Sequence, residues 1–137
     1  MKGPTVTANR VVFTPIQPPD APPALGGYVQ ALTVTGASRL VFVSGQIPEP
    51  PDGHVPDDFE TQCRTVWNNI LACLAGAGLG VSSLVKVTTF LSKREYADTN
   101  SAIRREILGD HHPALTVIIS EIFDKRWLLE IEAIAAD

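Results

Sequence analysis

Two glutamates near the C-terminus, Glu130 and Glu132, are the residues of this chain whose type and spacing most suggest chemistry. They occupy alternate positions in the otherwise apolar segment 128–135. Alternate side chains of a β-strand share a face, so the two carboxylates would lie roughly 7 Å apart on one side of a sheet. Anions at that spacing repel each other, and each needs a proton, a donor or a cation when partly buried. The pair can hold a water molecule or a cationic substrate, or it can be a solvated face matched to Lys86 or Arg39.

Other kinds of catalytic or metal site find little support. Ser44 follows an apolar strand, but it lacks the glycine-flanked turn of a nucleophile elbow, and no histidine and aspartate at triad-like spacing accompany it. His54 and the pair His111-His112 stand apart from any run of cysteines or carboxylates, so we predict no metal site. Cys63 and Cys73 would lie about 15 Å apart along one helix, too far for a disulfide with each other.

The composition of the chain limits the classes of protein to which it can belong. The 137 residues, 45% hydrophobic and 19% charged, predict one globular domain over residues 1–137, with an irregular, proline-rich segment over residues 1–25. A net charge of -4 argues against a nucleic-acid partner, since phosphate neutralisation needs a concentrated basic surface. The N-terminus does not have the pattern of a signal peptide, and no apolar stretch reaches membrane-spanning length. We therefore predict a cytoplasmic protein that does not interact with a membrane.

The elements that must position these residues follow from periodicity and turn signals. Two strand signals at 28–35 and 39–44, joined by residues 36–38, predict a β-hairpin, with a short edge strand at 11–14. The further elements are a helix that follows the capping signal at residues 57–60 and closes at the glycines of 76–80, a strand at 84–91, a helix at 94–108, and strands at 115–120 and 127–135.

The order β-β-α-β-α-β-β predicts an α+β sandwich in which two helices cover one face of a single mixed sheet. Residues 40–43 and 117–119 are apolar on both strand faces, the pattern of a sheet that is buried on both sides. Since two helices can cover only one face, we expect a closed homo-oligomer whose clefts lie at subunit boundaries.

Several short segments match one known family when they are taken in order. They are Gly26-Gly27-Tyr28-Val29-Gln30-Ala31, Val43-Ser44-Gly45-Gln46-Ile47-Pro48, Gln62, Asn69, Ala77-Gly78, Val85-Lys86-Val87-Thr88-Thr89-Phe90-Leu91, Asn100, Pro113-Ala114 and Glu130-Ile131-Glu132-Ala133-Ile134-Ala135. In this order they resemble the reactive intermediate deaminase family, also called Rid, YjgF or L-PSP endoribonuclease-like. The resemblance implies a chorismate-mutase-like α+β fold, a homotrimer and three inter-subunit clefts for small carboxylic acids. Active members hydrolyse enamines and imines, such as 2-aminoacrylate, to ketoacids and ammonia without a cofactor.

The same resemblance assigns roles to individual residues. By matching position Glu130 is the catalytic glutamate that holds a water molecule, and Tyr28 is a wall of the cleft, although on its type alone it is equally a packed strand aromatic. The backbone of Ser44 and Gly45 is the matching donor region. Leu115 stands where the Pro-Ala-Arg motif of the family has the arginine that binds the substrate carboxylate. We therefore expect a substrate-binding cleft with altered selectivity.

Three functions remain open at this stage. The first is an enamine or imine deaminase that acts on an altered substrate. The alternative is a non-catalytic trimer that binds a metabolite or another protein. The third, an endoribonuclease or translation inhibitor, is weakened by the net negative charge and by the lack of a basic and aromatic stacking surface. In each case we expect no cofactor, and self-association together with a small-molecule ligand.

Overall fold

The computed structural model describes residues 10–137, so residues 1–9 of the segment predicted to be irregular lie outside the described residues. The strands are β1 (Val12–Ile16), β2 (Ala31–Thr35), β3 (Leu40–Gln46), β4 (Leu84–Leu91), β5 (Ala114–Ile119) and β6 (Leu129–Ala136). The helices are α1 (Phe59–Gly76) and α2 (Ala97–Leu108), and short 3-10 turns at Val81–Ser83 and Arg94–Tyr96 precede β4 and α2. No helix in this part of the chain has the length and hydropathy needed to cross a membrane.

Strands β3 to β6 form a mixed sheet in the order β3-β6-β4-β5. β4 and β5 run parallel, whereas β6 is antiparallel to both of its neighbours. One face of this sheet packs against the two helices, and the predicted α+β class is confirmed. That buried face is formed by alternate residues of the strands, among them Val43, Leu84, Val87, Leu91, Leu129, Ile131, Ala133 and Ala135.

Helix α1 begins where the sequence predicts. The Asp58 side chain accepts a hydrogen bond of 2.9 Å from the backbone N–H of Thr61, which satisfies one of the free donors of the first turn. The apolar residues that follow at helical spacing are buried against the sheet: Phe59, Cys63, Val66, Trp67, Ile70 and Leu74. Gly78 adopts φ +75° just after the helix, a conformation that favours glycine and lets the chain turn towards β4.

The predicted hairpin of β2 with β3 is wrong within the protomer. β2 pairs instead with β1 in a separate two-stranded sheet, and β6 is the only described strand that pairs with β3. The segment before β2 is attached elsewhere, because Val29 donates a backbone hydrogen bond of 3.2 Å to the carbonyl of Pro113 at the start of β5. Where one sheet was predicted, the structure has a four-stranded sheet and a separate β1–β2 hairpin. β1 at Val12–Ile16 corresponds to the short edge strand predicted at 11–14, within the segment 1–25 that was otherwise predicted to be irregular.

The sheet face opposite the helices is open in the protomer. It carries the alternate residues of the same strands, including Phe42, Phe90, Ile118, Glu130 and Ile134. The side chain of Phe42 is 71% exposed on this face, an unusual position for a large apolar side chain. The expectation that this face packs against another copy of the chain stays a prediction.

Candidate functional site

The candidate site is built around an irregularity in the pairing of β3 with β6. At this point Ser44 and Gly45 of β3 lie opposite the single residue Glu132 of β6. An extra residue of this kind is a β-bulge, which bends the strand and frees backbone groups from the ladder. The bulge lies next to Glu130, so the two features that the sequence marked as a site meet at the β3–β6 side of the sheet.

The Glu130 carboxyl group lies directly against the backbone of Gly45. A Cβ atom added at Gly45 would collide with Oε2 of Glu130 and would lie only 2.9 Å from its Cδ. Close approach and not the backbone angle favours glycine here, since the φ of Gly45 is not in the left-handed region and a larger residue would have to displace the Glu130 side chain. The Glu130 carboxyl group thus occupies the space that a side chain at position 45 would fill.

The environment of Glu130 favours its protonated form. Partial burial raises the pKa of the Glu130 carboxyl, and the negative charge of Glu132 raises it further. A carboxylate with a raised pKa is a better proton acceptor than an ordinary glutamate, and its conjugate acid can return the proton later in a reaction. Glu130 therefore has the electrostatic character of a general acid and base.

A cavity of about 250 Å³ opens beside the bulge on the face away from the helices. Its polar lining is Ser44, Lys86, Thr88 and Glu132, and its apolar lining is Phe42, Val43, Ala133 and Ile134. Ser44, predicted as part of the site, therefore has its place at the edge of this cavity. The cavity combines an apolar wall with a few polar groups, which is the usual composition of a small-molecule site.

Neither Lys86 nor Arg39, the cations named above as possible partners of the two glutamates, pairs with Glu132 in the protomer. Lys86 donates a hydrogen bond of 2.7 Å from Nζ to Oγ1 of Thr116, and Arg39 forms an ion pair of 2.7 Å with Asp137. Among residues 10–137, no cation forms an ion pair with Glu132, whose side chain remains exposed. The chain end supplies Arg39 with a partner that strand spacing alone does not indicate.

Two amide side chains of α1 hold the segments around the site. Gln62 is buried, donates from Nε2 to the carbonyls of Pro56 and Arg126 at 2.7 and 2.9 Å, and accepts the backbone N–H of Leu128 at 2.8 Å. Asn69 donates to the carbonyl of Ile47 at 3.0 Å. These residues fix the chain on leaving β3 and on entering β6, and the sequence marked them only through the family resemblance.

Tyr28 and Leu115 lie at the other side of the sheet. Tyr28 precedes Val29, which is attached to β5 through Pro113. Leu115 is on β5 and packs against the core on the helix side, whereas Glu130 is on the open face. β5 is two strand spacings from β6, roughly 10 Å. One protomer thus brings Ser44, Gly45 and Glu130 together but does not bring Tyr28 and Leu115 to them.

Arg104 of α2 is a further charged residue, in contact with the segment that precedes Tyr28. Its side chain is only 4% exposed, and its Nη2 donates a hydrogen bond of 2.7 Å to the carbonyl of Gly26. Burial lowers the pKa of the Arg104 guanidinium, and the charge of Arg105 lowers it further. Its helical position alone suggested a solvated side chain, but the segment that precedes Tyr28 covers it.

Between residues 10 and 137 no three histidine, cysteine, aspartate or glutamate side chains come together as a metal site requires. Cys63 and Cys73 are both free thiols, the first buried in α1 and the second exposed, which confirms that they do not pair with each other.

Comparison with known proteins gives the family. Residues 18–137 match the family model described as Endoribonuclease L-PSP. The chain belongs to this family, the Rid proteins. It is 34% identical over 119 residues to the putative reactive intermediate deaminase TdcF of Escherichia coli K12, covering 84% of this chain and 90% of that one. It is also 34% identical over 120 residues to the 2-iminobutanoate/2-iminopropanoate deaminase of the same organism, with coverages of 85% and 91%.

The fold agrees with this assignment. The crystal structure of YyfB from Yersinia pestis, a Rid family protein of unknown function, superposes with a TM-score of 0.81 and covers 91% of this chain and 98% of its own. Its sequence identity is 22%, so this likeness concerns the fold alone. The chain therefore has the fold of a solved Rid protein, while the family itself is shown by the sequence match.

Proposed function

We propose that this Rid protein hydrolyses a small imine or enamine to a carbonyl compound and ammonia, without a cofactor. The observation that carries the proposal is the Glu130 carboxyl group, which has a raised pKa and lies against the Gly45 backbone at the bulge. Support also comes from the names of two relatives, which describe them as a reactive intermediate deaminase and an imine deaminase. The adjoining cavity is of a size suited to a small substrate.

The chemistry requires only proton transfer and a positioned water molecule. Glu130 accepts a proton from the water as its oxygen forms a bond to the imine carbon, and the nitrogen is protonated, giving a carbinolamine. The carbon–nitrogen bond then breaks, ammonia leaves, and the hydroxyl proton is released as the carbonyl forms. The net reaction consumes one imine and one water. To the backbone N–H groups of Ser44 and Gly45 we assign the role of holding the substrate during these steps.

The proposal places the complete cleft between subunits of a homotrimer. Ser44, Gly45 and Glu130 would form the half that bears the acid and base, and Tyr28 and Leu115 of a neighbouring copy would form the other half. Support comes from the position of these two groups at different sides of one sheet. Light scattering at micromolar concentration should give about three times the chain mass of 14.7 kDa. A monomeric mass would overturn this arrangement.

Leu115 bears on the choice of substrate. An arginine at this position, as in the family motif, would make two charge-assisted hydrogen bonds to a carboxylate, each worth about 1.5–3 kcal/mol. A leucine offers neither bond, so a substrate carboxylate loses this anchor. We therefore propose that the preferred substrate is an imine without a carboxylate.

The test compares two imines that are generated in the assay. A pyridoxal-phosphate-dependent dehydratase supplies 2-aminoacrylate, and an amine oxidase supplies a neutral aldimine. We expect faster ammonia release above the buffer rate only for the neutral imine, with a loss of at least roughly 100-fold in Glu130→Gln. Leu115→Arg should increase turnover of 2-aminoacrylate. The matched control, Glu121→Gln, changes an exposed carboxylate in the loop before β6, outside the cavity beside the bulge, and should retain turnover.

Other outcomes would point to the alternative functions. Failure to accelerate either imine, together with saturable binding of a ketoacid or neutral amide, would indicate a non-catalytic binding protein. Cleavage of single-stranded RNA that is lost in Glu130→Gln would indicate the ribonuclease function. Equal turnover of both imines would overturn the proposed role of Leu115 while leaving the deaminase proposal in place.

A further inference from the structure

The outer edges of β2 and β3 are among the strand edges that have no partner strand within residues 10–137. The outer edge of β3 is free because β3 pairs only with β6, and the outer edge of β2 is free because β2 pairs only with β1. An isolated two-stranded hairpin is marginal in water, and most side chains of the β1–β2 hairpin are exposed. A free edge such as that of β3 readily accepts another strand.

The two free edges match each other in sequence. The connection at residues 36–38 has a length that ordinarily joins two antiparallel strands. In the register that such a β2–β3 hairpin would have, Leu32 lies opposite Phe42 and Val34 lies opposite Leu40. These residues are apolar, and Phe42 and Leu40 are 71% and 59% exposed. Cross-strand pairs of aromatic and branched side chains stabilise a sheet. The edge of β2 is thus complementary to the edge of β3.

The protomer itself holds β2 away from its own β3. Val29 is hydrogen-bonded to Pro113 at the β5 edge, and Arg104 of α2 is bonded to the carbonyl of Gly26. β5 and β3 are the two outer strands of the four-stranded sheet, about 14 Å apart. A hairpin anchored next to β5 is therefore available to the β3 edge of a second copy.

We propose that the β1–β2 hairpin of each protomer is exchanged, so that β2 pairs antiparallel with β3 of the neighbouring copy. The contact is heterologous, since one copy offers its hairpin and the next offers its β3 edge. Repeated contacts of this kind close into a ring when the rotation between copies allows it. Three copies would form a closed trimer in which every β3 edge is covered.

The exchange would also complete the site, and this consequence rests on the proposed function. In the same register Tyr28 lies opposite Gln46 of the neighbour, within a few residues of its Ser44 and Gly45. Tyr28 would thereby reach the bulge that holds Glu130. The exchange itself depends only on strand pairing, so it can fail while the deaminase activity of Glu130 is confirmed, and the reverse also holds.

The experiment is disulfide trapping in the full chain. Leu32→Cys and Phe42→Cys are combined with Cys73→Ser, which removes the exposed native thiol, while Cys63 remains buried. After mild oxidation, we expect most chains to run as covalent dimers and trimers on a non-reducing gel. Two proteins that each carry only one of the two new cysteines, refolded together, should give a covalent dimer containing one chain of each.

Controls make each result decisive. The variant with Leu32→Cys and Val41→Cys carries its second thiol on the face of β3 opposite to Phe42. It should not give covalent dimers and trimers on the gel. Val34→Cys with Leu40→Cys is a second pair in the same register, which is used if the first variant does not fold. A disulfide within the monomer, found by peptide mass spectrometry, would overturn the exchange. Absence of a disulfide in both in-register pairs would overturn it as well.

Discussion

Replacement of Glu130 by glutamine should make the protein more stable at neutral pH, although it removes the proposed catalytic group. Glu130 and Glu132 occupy alternate positions of β6, roughly 7 Å apart. Two unit charges at this separation repel by about 0.6 kcal/mol in water and by about 2.4 kcal/mol at an effective dielectric constant of 20. Because the Glu132 side chain is exposed, the lower value applies. Glutamine also avoids the cost of burying a charge at this position. Together the two effects should raise the free energy of unfolding by about 1 kcal/mol.

The pH dependence of this gain has a definite sign. The pKa of Glu130 is raised in the folded protein, so the folded state binds a proton more tightly than the unfolded chain. In the wild-type protein, ionised Glu130 lowers the free energy of unfolding. This loss is absent below the ordinary carboxyl pKa, develops as the pH rises from that value to the raised pKa, and is complete above it. The advantage of Glu130→Gln should therefore be present at pH 8 and should vanish near pH 4.

Urea denaturation of both proteins at pH 8 and pH 4 measures this difference, with the protein concentration held constant because an oligomer unfolds in a concentration-dependent manner. Glu132→Gln is the matched control. It removes the same repulsion but not the burial of Glu130, so its gain should be smaller. At pH 8 the melting temperature of Glu130→Gln should rise by roughly 2–4 °C. A loss of stability above about 1 kcal/mol would refute the reasoning, because it would require a cation that pairs with Glu130.

Three further outcomes test the fold and the site. Burial raises the pKa of Cys63 to about 12, so a thiol reagent at pH 8 should label only Cys73 in the native protein and both thiols after unfolding, and rapid labelling of two thiols would contradict this packing. Asp58→Ala should lower the free energy of unfolding by about 1 kcal/mol in urea denaturation, through the loss of the N-cap of α1, and an unchanged value would show that the cap is not needed. Gly45→Ala should displace the Glu130 carboxyl, lowering the stability by about 1–3 kcal/mol and also the rate of ammonia release; full activity would show that the close contact is dispensable.

Much of the fold was predictable because it depends on local signals. The strand at 84–91 has the predicted bounds, and α1 begins at the predicted cap. The second predicted helix, 94–108, consists of a 3-10 turn followed by α2, which ends before Gly109 at φ +57°. Apolar periodicity, caps and glycine stops act over a few residues, so the sequence carries them directly.

The errors concern contacts between distant parts of the chain. The length of the 36–38 connection favours a β2–β3 hairpin, but the bonds of Val29 and Gly26 to β5 and α2 hold β2 elsewhere. Arg104 has a helical position suited to solvent, and the same covering segment buries it. For the candidate site, strand periodicity placed Glu130 correctly beside Glu132, but a β-bulge has no reliable local signature. Neither the contact of Glu130 with Gly45 nor the partner of Arg39 could be read from spacing.

The buried amide of Gln62 restricts which amino acid its position can hold. Its nitrogen donates to two carbonyls while its oxygen accepts an N–H, so both ends of the side chain are matched to the polarity of fixed backbone groups. Glutamate has the same shape but would direct an oxygen at those carbonyls, and asparagine is one methylene too short. The loops on either side can therefore vary in sequence without losing their anchor, since it contacts only their main chain. Diversity in the sequence of these loops is therefore compatible with a constant helix α1.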